Sequence, residues 1–101
     1  MDIAKSSLGE FSVGNDSVGQ TAKQVVATGY AREALNGITI RAFTSNTGTL
    51  YIGNNAGVNP TNSYQLPAGE EVVVPVDFAS KVWIVSDNAD PSTSKYNWIS
   101  A

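Results

Sequence analysis

The sequence contains neither cysteine nor histidine, and each absence excludes a kind of chemistry. Without cysteine, the chain can form no disulfide bond and no thiolate metal site. Without histidine, the commonest general base is missing, so the nucleophilic triads that use it are excluded. The sequence therefore predicts a protein that is not an enzyme, with no catalytic, cofactor-binding or metal-binding residues and no cofactor.

Charged residues are also few, at 15% of the chain, and long apolar runs are absent. Nine acidic against six basic residues give a net charge of -3, which offers no general attraction to nucleic acid or anionic lipid. No run approaches the roughly 18 apolar residues of a membrane span, and residues 1–7 lack the pattern of a secretory signal peptide. We therefore expect a soluble protein, made in the cytoplasm, that binds neither nucleic acid nor membrane.

Two acidic features are weak candidates for sites. Glu70 and Glu71 are adjacent, and adjacent residues on a strand point to opposite faces, so they cannot share a substrate. Residues 87–90 offer oxygen ligands of the type that calcium prefers, but they lack the ligand count and glycine placement of an EF-hand loop. Solvated surface positions are the favoured interpretation of both.

What the sequence does contain is the pattern of one folded β domain. Its 101 residues, 42% of them apolar, suit a single compact unit. Short β-branched and aromatic runs separated by turn-forming residues are typical of a sandwich or barrel. They cover residues 38–43, 50–52, 64–66, 70–76, 81–85 and 96–99. The predicted fold is all-β, a small antiparallel, jelly-roll-like β-sandwich over residues 20–101, preceded by an extended N-terminal arm over residues 1–19.

Four local features refine this prediction. Runs 38–43 and 50–52 are joined by a short segment with one glycine, so we expect them to pair as a hairpin. Pro75 cannot donate a ladder hydrogen bond, which favours an edge strand. Residues 54–63 hold almost nothing that packs and should form an exposed loop. Residues 21–29 fit either a capped helix or a strand, and their β-branched members favour the strand.

The apolar residues of the arm are the first candidates for an interface. Ile3, Leu8, Phe11 and Val13 follow neither a strand period nor a helix period. A segment of this kind gains order by burying its side chains against a partner. We therefore expect the arm to dock on a neighbouring subunit or another protein.

The predicted strands supply a second candidate interface. If the alternating aliphatic residues face the core, then Tyr51, Val73 and Trp83 face away from it. A second apolar face on a small domain favours an oligomer interface. The alternative is a sugar-binding platform that uses Tyr51, Trp83 or Tyr64.

The order of motifs from residue 36 onward resembles a small β-sandwich module of tailed-phage virion proteins, found in head decoration or cement proteins and in head fibres. The resemblance covers about the last two thirds of the chain. Its pieces are Gly37-Ile38-Thr39-Ile40-Arg41-Ala42, Ser45-Asn46-Thr47-Gly48-Thr49-Leu50-Tyr51-Ile52-Gly53, Leu66-Pro67-Ala68-Gly69-Glu70-Glu71-Val72 and Val82-Trp83-Ile84-Val85-Ser86. The closing segment Tyr96-Asn97-Trp98-Ile99 is more aromatic than the aliphatic strand of the family.

The resemblance implies a structural protein of the virion and names no catalytic residue. It implies a capsid decoration or cement subunit, commonly a homotrimer, that binds the major capsid protein or another virion protein on the capsid surface. Such a subunit would brace the contacts between capsid subunits. A tail, fibre or baseplate module and a carbohydrate-binding β-sandwich remain as alternatives.

Overall fold

The computed structural model describes residues 12–26, 33–34 and 36–100, and these residues form strands joined by turns and loops. The eight strands are β1 Ser12–Ser17, β2 Lys23–Gln24, β3 Ile38–Ala42, β4 Leu50–Gly53, β5 Tyr64–Leu66, β6 Glu71–Val74, β7 Trp83–Ser86 and β8 Lys95–Ser100. Two single 3-10 turns, Ala79–Lys81 and Pro91–Thr93, precede β7 and β8. In this part of the chain no helix is long and apolar enough to cross a membrane.

The strands form two antiparallel sheets of four strands each. Sheet A has the order β1-β8-β3-β6, and sheet B has the order β2-β7-β4-β5. Eight antiparallel strands that alternate between two packed sheets in this order make a jelly roll. The predicted all-β, antiparallel sandwich is therefore confirmed.

The core lies between the inner faces of the two sheets, and strand alternation explains which side chains reach it. On β3, Ile38 and Ile40 are fully buried, while Thr39 between them is half-buried on the outer face. On sheet B, Leu50 and Ile84 face them across the core. Aliphatic residues at every second position thus give each sheet one apolar face, and burying both faces holds the sheets together.

Two side-chain contacts also connect the sheets. The Tyr96 hydroxyl, at the inner face of β8, donates a hydrogen bond of 3.2 Å to the carbonyl oxygen of Val25, which follows β2. The Lys23 ammonium of β2 lies 2.7 Å from the Asp16 carboxylate of β1. Burial opposes ionisation of Asp16, but Lys23 and the Ser17 backbone N–H together lower the pKa of this carboxyl.

The predicted hairpin of residues 38–43 and 50–52 is wrong. Strand β3 belongs to sheet A and pairs with β6 and β8, whereas β4 belongs to sheet B and pairs with β5 and β7. Residues 43–49 cross from one sheet to the other instead of reversing within one. The backbone N–H groups of Thr47 and Gly48 bond to Thr93 on this crossing, so the segment is fixed by the neighbouring loop and not by a ladder.

The structure also differs from the predicted arm where it describes that part of the chain. Residues 12–17 form β1, which pairs along its whole length with β8 at one edge of sheet A. Ile3, Leu8 and Phe11 lie outside the described residues. The segment that begins at Ser12 therefore belongs to the sandwich, because its backbone completes a ladder with β8.

Two further predictions are confirmed. Strand β6 ends at Val74, directly before Pro75, and lies at the free edge of sheet A. An edge position accommodates a residue that lacks a backbone N–H. Within residues 21–26, Lys23–Gln24 form a strand paired with β7, as favoured, and residues 27–29 lie outside the described part of the chain.

Candidate protein-docking face

The three strand residues predicted to share an interface lie on opposite sides of the molecule. Tyr51 and Trp83 belong to the outer face of sheet B, where they pack in one cluster with Val85. Val73 belongs to the outer face of sheet A, on edge strand β6. The alternation was predicted correctly, but the expected single apolar face is wrong, because the structure places these strands in two different sheets.

The outer face of sheet B is covered by the chain itself. Val58, in the middle of the loop predicted to be exposed, is buried against Tyr51 and Val85. Gly53 permits this contact, because a Cβ at that position would lie 2.7 Å from a Val58 methyl group. The rest of the loop is mostly exposed as predicted, but Val58 is an apolar anchor that the sequence pattern did not indicate.

The covered face does not offer a sugar platform. Tyr51 is only 8% exposed, and its hydroxyl lies 3.4 Å from the Asp87 carboxylate. Burial, with the negative charge of Asp87, raises the pKa of Tyr51. Tyr64 is exposed, but it lies on β5, where it pairs with the inward-facing Ile52. The aromatic residues proposed as a platform therefore do not share an open surface.

An exposed apolar row crosses the outer face of sheet A. In the strand register, Val13 on β1 lies opposite Ile99 on β8, Ile99 lies opposite Thr39 on β3, and Thr39 lies opposite Val73 on β6. Val13 is 62% exposed, Val73 60% and Ile99 39%. Most large apolar side chains that the structure leaves exposed in its described part thus fall on one line across four strands.

A polar row runs beside the apolar one, two residues further along each strand. It consists of Asn15, Asn97, Arg41 and Glu71, which are again cross-strand neighbours. All four side chains are exposed, and none forms a hydrogen bond or ion pair with another described residue. A shallow depression of about 380 Å³ lies between the two rows. The surface thus combines exposed apolar groups with four side chains whose hydrogen-bonding groups are unused. This combination is typical of a surface that binds another protein.

The loops use their polar side chains in the opposite way. Asn46 forms two hydrogen bonds with the backbone of Lys95, and Asn59 binds Thr61 and the Gly57 carbonyl oxygen. These side chains stabilise turns and have little capacity left for a ligand. The contrast separates the two rows on sheet A, which we call the docking face, from polar residues that support the fold.

Sequence reasoning found two residues of the docking face and missed the others. Val13 and Val73 were among the predicted interface residues, but Val73 was grouped with Tyr51 and Trp83 of sheet B, and the residues grouped with Val13 lie outside the described part of the chain. Ile99 was not predicted as an interface residue. The buried Ile38 and Ile40 indicate that Thr39 and Arg41 point outward, but only the pairing of β8 with both β1 and β3 places Ile99 between them.

The acidic loop considered for calcium has a structural use. Asp87 accepts a hydrogen bond of 2.9 Å from the Thr49 backbone N–H, and Asp90 accepts one of 3.0 Å from the backbone N–H of Ser92 at the start of a 3-10 turn. The hydrogen bonds to Ser92 lower the pKa of Asp90. In residues 12–26, 33–34 and 36–100 no group of three acidic side chains converges to hold a metal ion.

No protein-family model matches the chain, and no curated protein matches it. Among solved structures, it is similar to the IMPa metallopeptidase from Pseudomonas aeruginosa, with a TM-score of 0.52 at 16% sequence identity. The likeness covers 91% of this chain and 12% of the metallopeptidase chain, so this chain spans a small part of that protein's length. At such an identity the likeness establishes a shared fold.

This likeness corrects the prediction that the protein is not an enzyme. The prediction relied on the absence of histidine and cysteine from these 101 residues. The same fold, however, lies within the chain of a metallopeptidase. A jelly roll can therefore be one part of a catalytic protein, and the residues that it lacks do not define the class of the whole.

Proposed function

We propose that this chain is an assembling subunit of a tailed-phage virion, a capsid decoration or cement protein that adds to the finished head. The observation that carries the proposal is the docking face, an open and partly apolar surface across all four strands of sheet A. Burial of such a face in an assembly removes apolar area from water and stabilises both partners. The resemblance of residues 37–86 to decoration modules supports the capsid as the place of assembly.

The proposal is tested first by location. Heads and tails of the phage that carries the chain are separated, and an antibody against the chain is applied to each fraction. We expect labelling of heads. Labelling of tails alone would support the fibre or baseplate alternative, and absence from the particle would refute a virion role.

A second test measures what the subunit does for the head. Heads that lack the subunit are incubated with increasing amounts of it, and the temperature of DNA release is recorded. We expect saturable binding and a higher release temperature. Val73→Asp should weaken binding because it places a charge in the docking face, and Tyr64→Asp is the matched control because Tyr64 is 56% exposed on the other sheet. Equal binding by both variants would show that the docking face is not involved.

A second candidate follows from the structural likeness. Because the similar fold forms 12% of a metallopeptidase chain, this chain would then be a module of a larger enzyme. In that enzyme the module would serve as a binding or positioning domain, and its docking face would contact a neighbouring domain. Blotting of producing cells with the same antibody separates the two functions. A polypeptide of about 10.6 kDa agrees with a decoration subunit, and a much larger one agrees with the enzyme module.

A further inference from the structure

The docking face has a symmetry that points to its partner. Its apolar row begins and ends on valine, with Val13 at one edge of sheet A and Val73 at the other. Its polar row carries one cation, Arg41, and one anion, Glu71, on adjacent strands. When the strand order is reversed, the apolar row places valine over valine and the polar row places an asparagine over each charged side chain, so the face is complementary to itself about a two-fold axis.

We propose that the docking face binds a second copy of this chain, face to face, about a two-fold axis parallel to the strands and between β8 and β3. This inference rests on the assembling role proposed above, and it identifies a second copy of the chain as the first protein that the docking face binds. Rotation about this axis reverses the strand order but preserves the position along the strands. The apolar row of one copy therefore faces the apolar row of the other, and the polar row faces the polar row. Val13 then lies over Val73 of the second copy, and Ile99 lies over Thr39 of the second copy.

The polar row decides between this axis and its main competitor. About the proposed axis, the Asn15 amide donates to Glu71 of the second copy, and the Asn97 amide oxygen accepts from Arg41 of the second copy. A two-fold axis across the strands keeps the strand order, so it stacks Arg41 on Arg41 and Glu71 on Glu71 when it lies on the polar row, and it lays the apolar row on the polar row when it lies between the rows. Like charges held face to face and polar groups laid on apolar groups are both unfavourable, so only the axis along the strands gives each side chain of the polar row a suitable partner.

The arrangement is compatible with ordinary sheet packing. Sheets that pack face to face lie about 10 Å apart with their strands nearly aligned, and a two-fold axis along the strands gives that alignment. The contact closes after two copies, because both docking faces are then covered, so the pair and not the single subunit is the unit that adds to the head. The pair therefore differs from the homotrimer that the family resemblance implies, and the mass of the assembly distinguishes the two.

The test is a charge-complementation experiment in sedimentation equilibrium on the isolated chain. We expect the parent protein to form a species of twice its 10.6 kDa mass at micromolar concentration. Val13→Lys alone and Val73→Asp alone each place a charge over a valine and should weaken association at least tenfold. Mixing the two variants places the introduced lysine over the introduced aspartate at one end and valine over valine at the other, so a 1:1 pair should form. The double variant should pair with itself.

Tyr64→Asp is the control, because it changes an equally exposed apolar residue outside the face and should leave the pair intact. A monomer or a trimer of the parent protein would overturn the inference, as would single variants that are not restored by mixing. Misfolding cannot imitate success, because two misfolded variants do not rescue each other. Head labelling without pairing would refute this inference alone, and pairing without head labelling would refute the decoration role alone.

Discussion

Replacing Tyr96 by phenylalanine removes one oxygen atom from the centre of the molecule and tests how the two sheets are joined. The side chain is fully buried, and its hydroxyl donates to the Val25 carbonyl oxygen across the core at 3.2 Å. Phenylalanine keeps the ring in place but leaves that carbonyl without this donor. Loss of a buried hydrogen bond costs about 1–2 kcal/mol, and each kcal/mol shifts the Tm of a domain of this size by about 4–8 °C.

The same substitution should change how stability depends on pH. Burial, with a smaller effect of Asp16, raises the pKa of the Tyr96 phenol above its ordinary value near 10. A phenol with a higher pKa in the folded state than in the unfolded state makes its full contribution to stability below the pKa of the unfolded state. That contribution is lost as pH rises toward the pKa of the folded state. Above about pH 10 the loss is about 1.4 kcal/mol for each pH unit. The advantage of the parent over Tyr96→Phe should therefore vanish at about pH 11.

Urea unfolding followed by circular dichroism at pH 7, 9, 10 and 11 measures both effects. Tyr64→Phe is the matched control, since it deletes the same oxygen at an exposed position and should change the free energy of unfolding by less than about 0.5 kcal/mol. Equal stability of parent and Tyr96→Phe at pH 7 would refute the role of the hydrogen bond. Parallel curves up to pH 11 would show that the phenol ionises as readily in the folded state as in the unfolded chain.

Three further substitutions test other contacts. Val58→Ala should cost about 1–2 kcal/mol by thermal unfolding, because two buried carbons are lost at about 0.8 kcal/mol each, and an unchanged Tm would show that the loop is not anchored. Gly14→Ala places a Cβ 2.8 Å from the Trp98 ring and should cost about 1–3 kcal/mol with a shift in tryptophan emission, so an unaltered spectrum would contradict this packing. Asp16→Asn should cost less than about 1 kcal/mol at pH 7, since its ion pair with Lys23 is partly exposed. Because the pKa of Asp16 is lowered, that difference should disappear as pH falls below about 4, and a difference that persists in acid would refute the ion pair as its cause.

The sequence by itself predicted strands β3 to β8 and, on most of them, the side that faces the core. At β3, the isoleucines at 38 and 40 alternate with polar residues, and a period of two leaves one apolar face to bury. Pro75 marked the end of an edge strand because proline lacks the N–H that a central strand needs. These features are local, so a few neighbouring residues contain the information for them.

Only the tertiary structure decided which strands share a sheet and which outward residues share a surface. Tyr51 and Val73 both point away from the core, but one lies beneath Val58 and the other lies in the docking face. Ile99 joins Val13 to that face because β8 lies between β1 and β3, three strands far apart in the chain. Pairing between distant strands depends on the burial of both sheets at once, and no local pattern of residues records it.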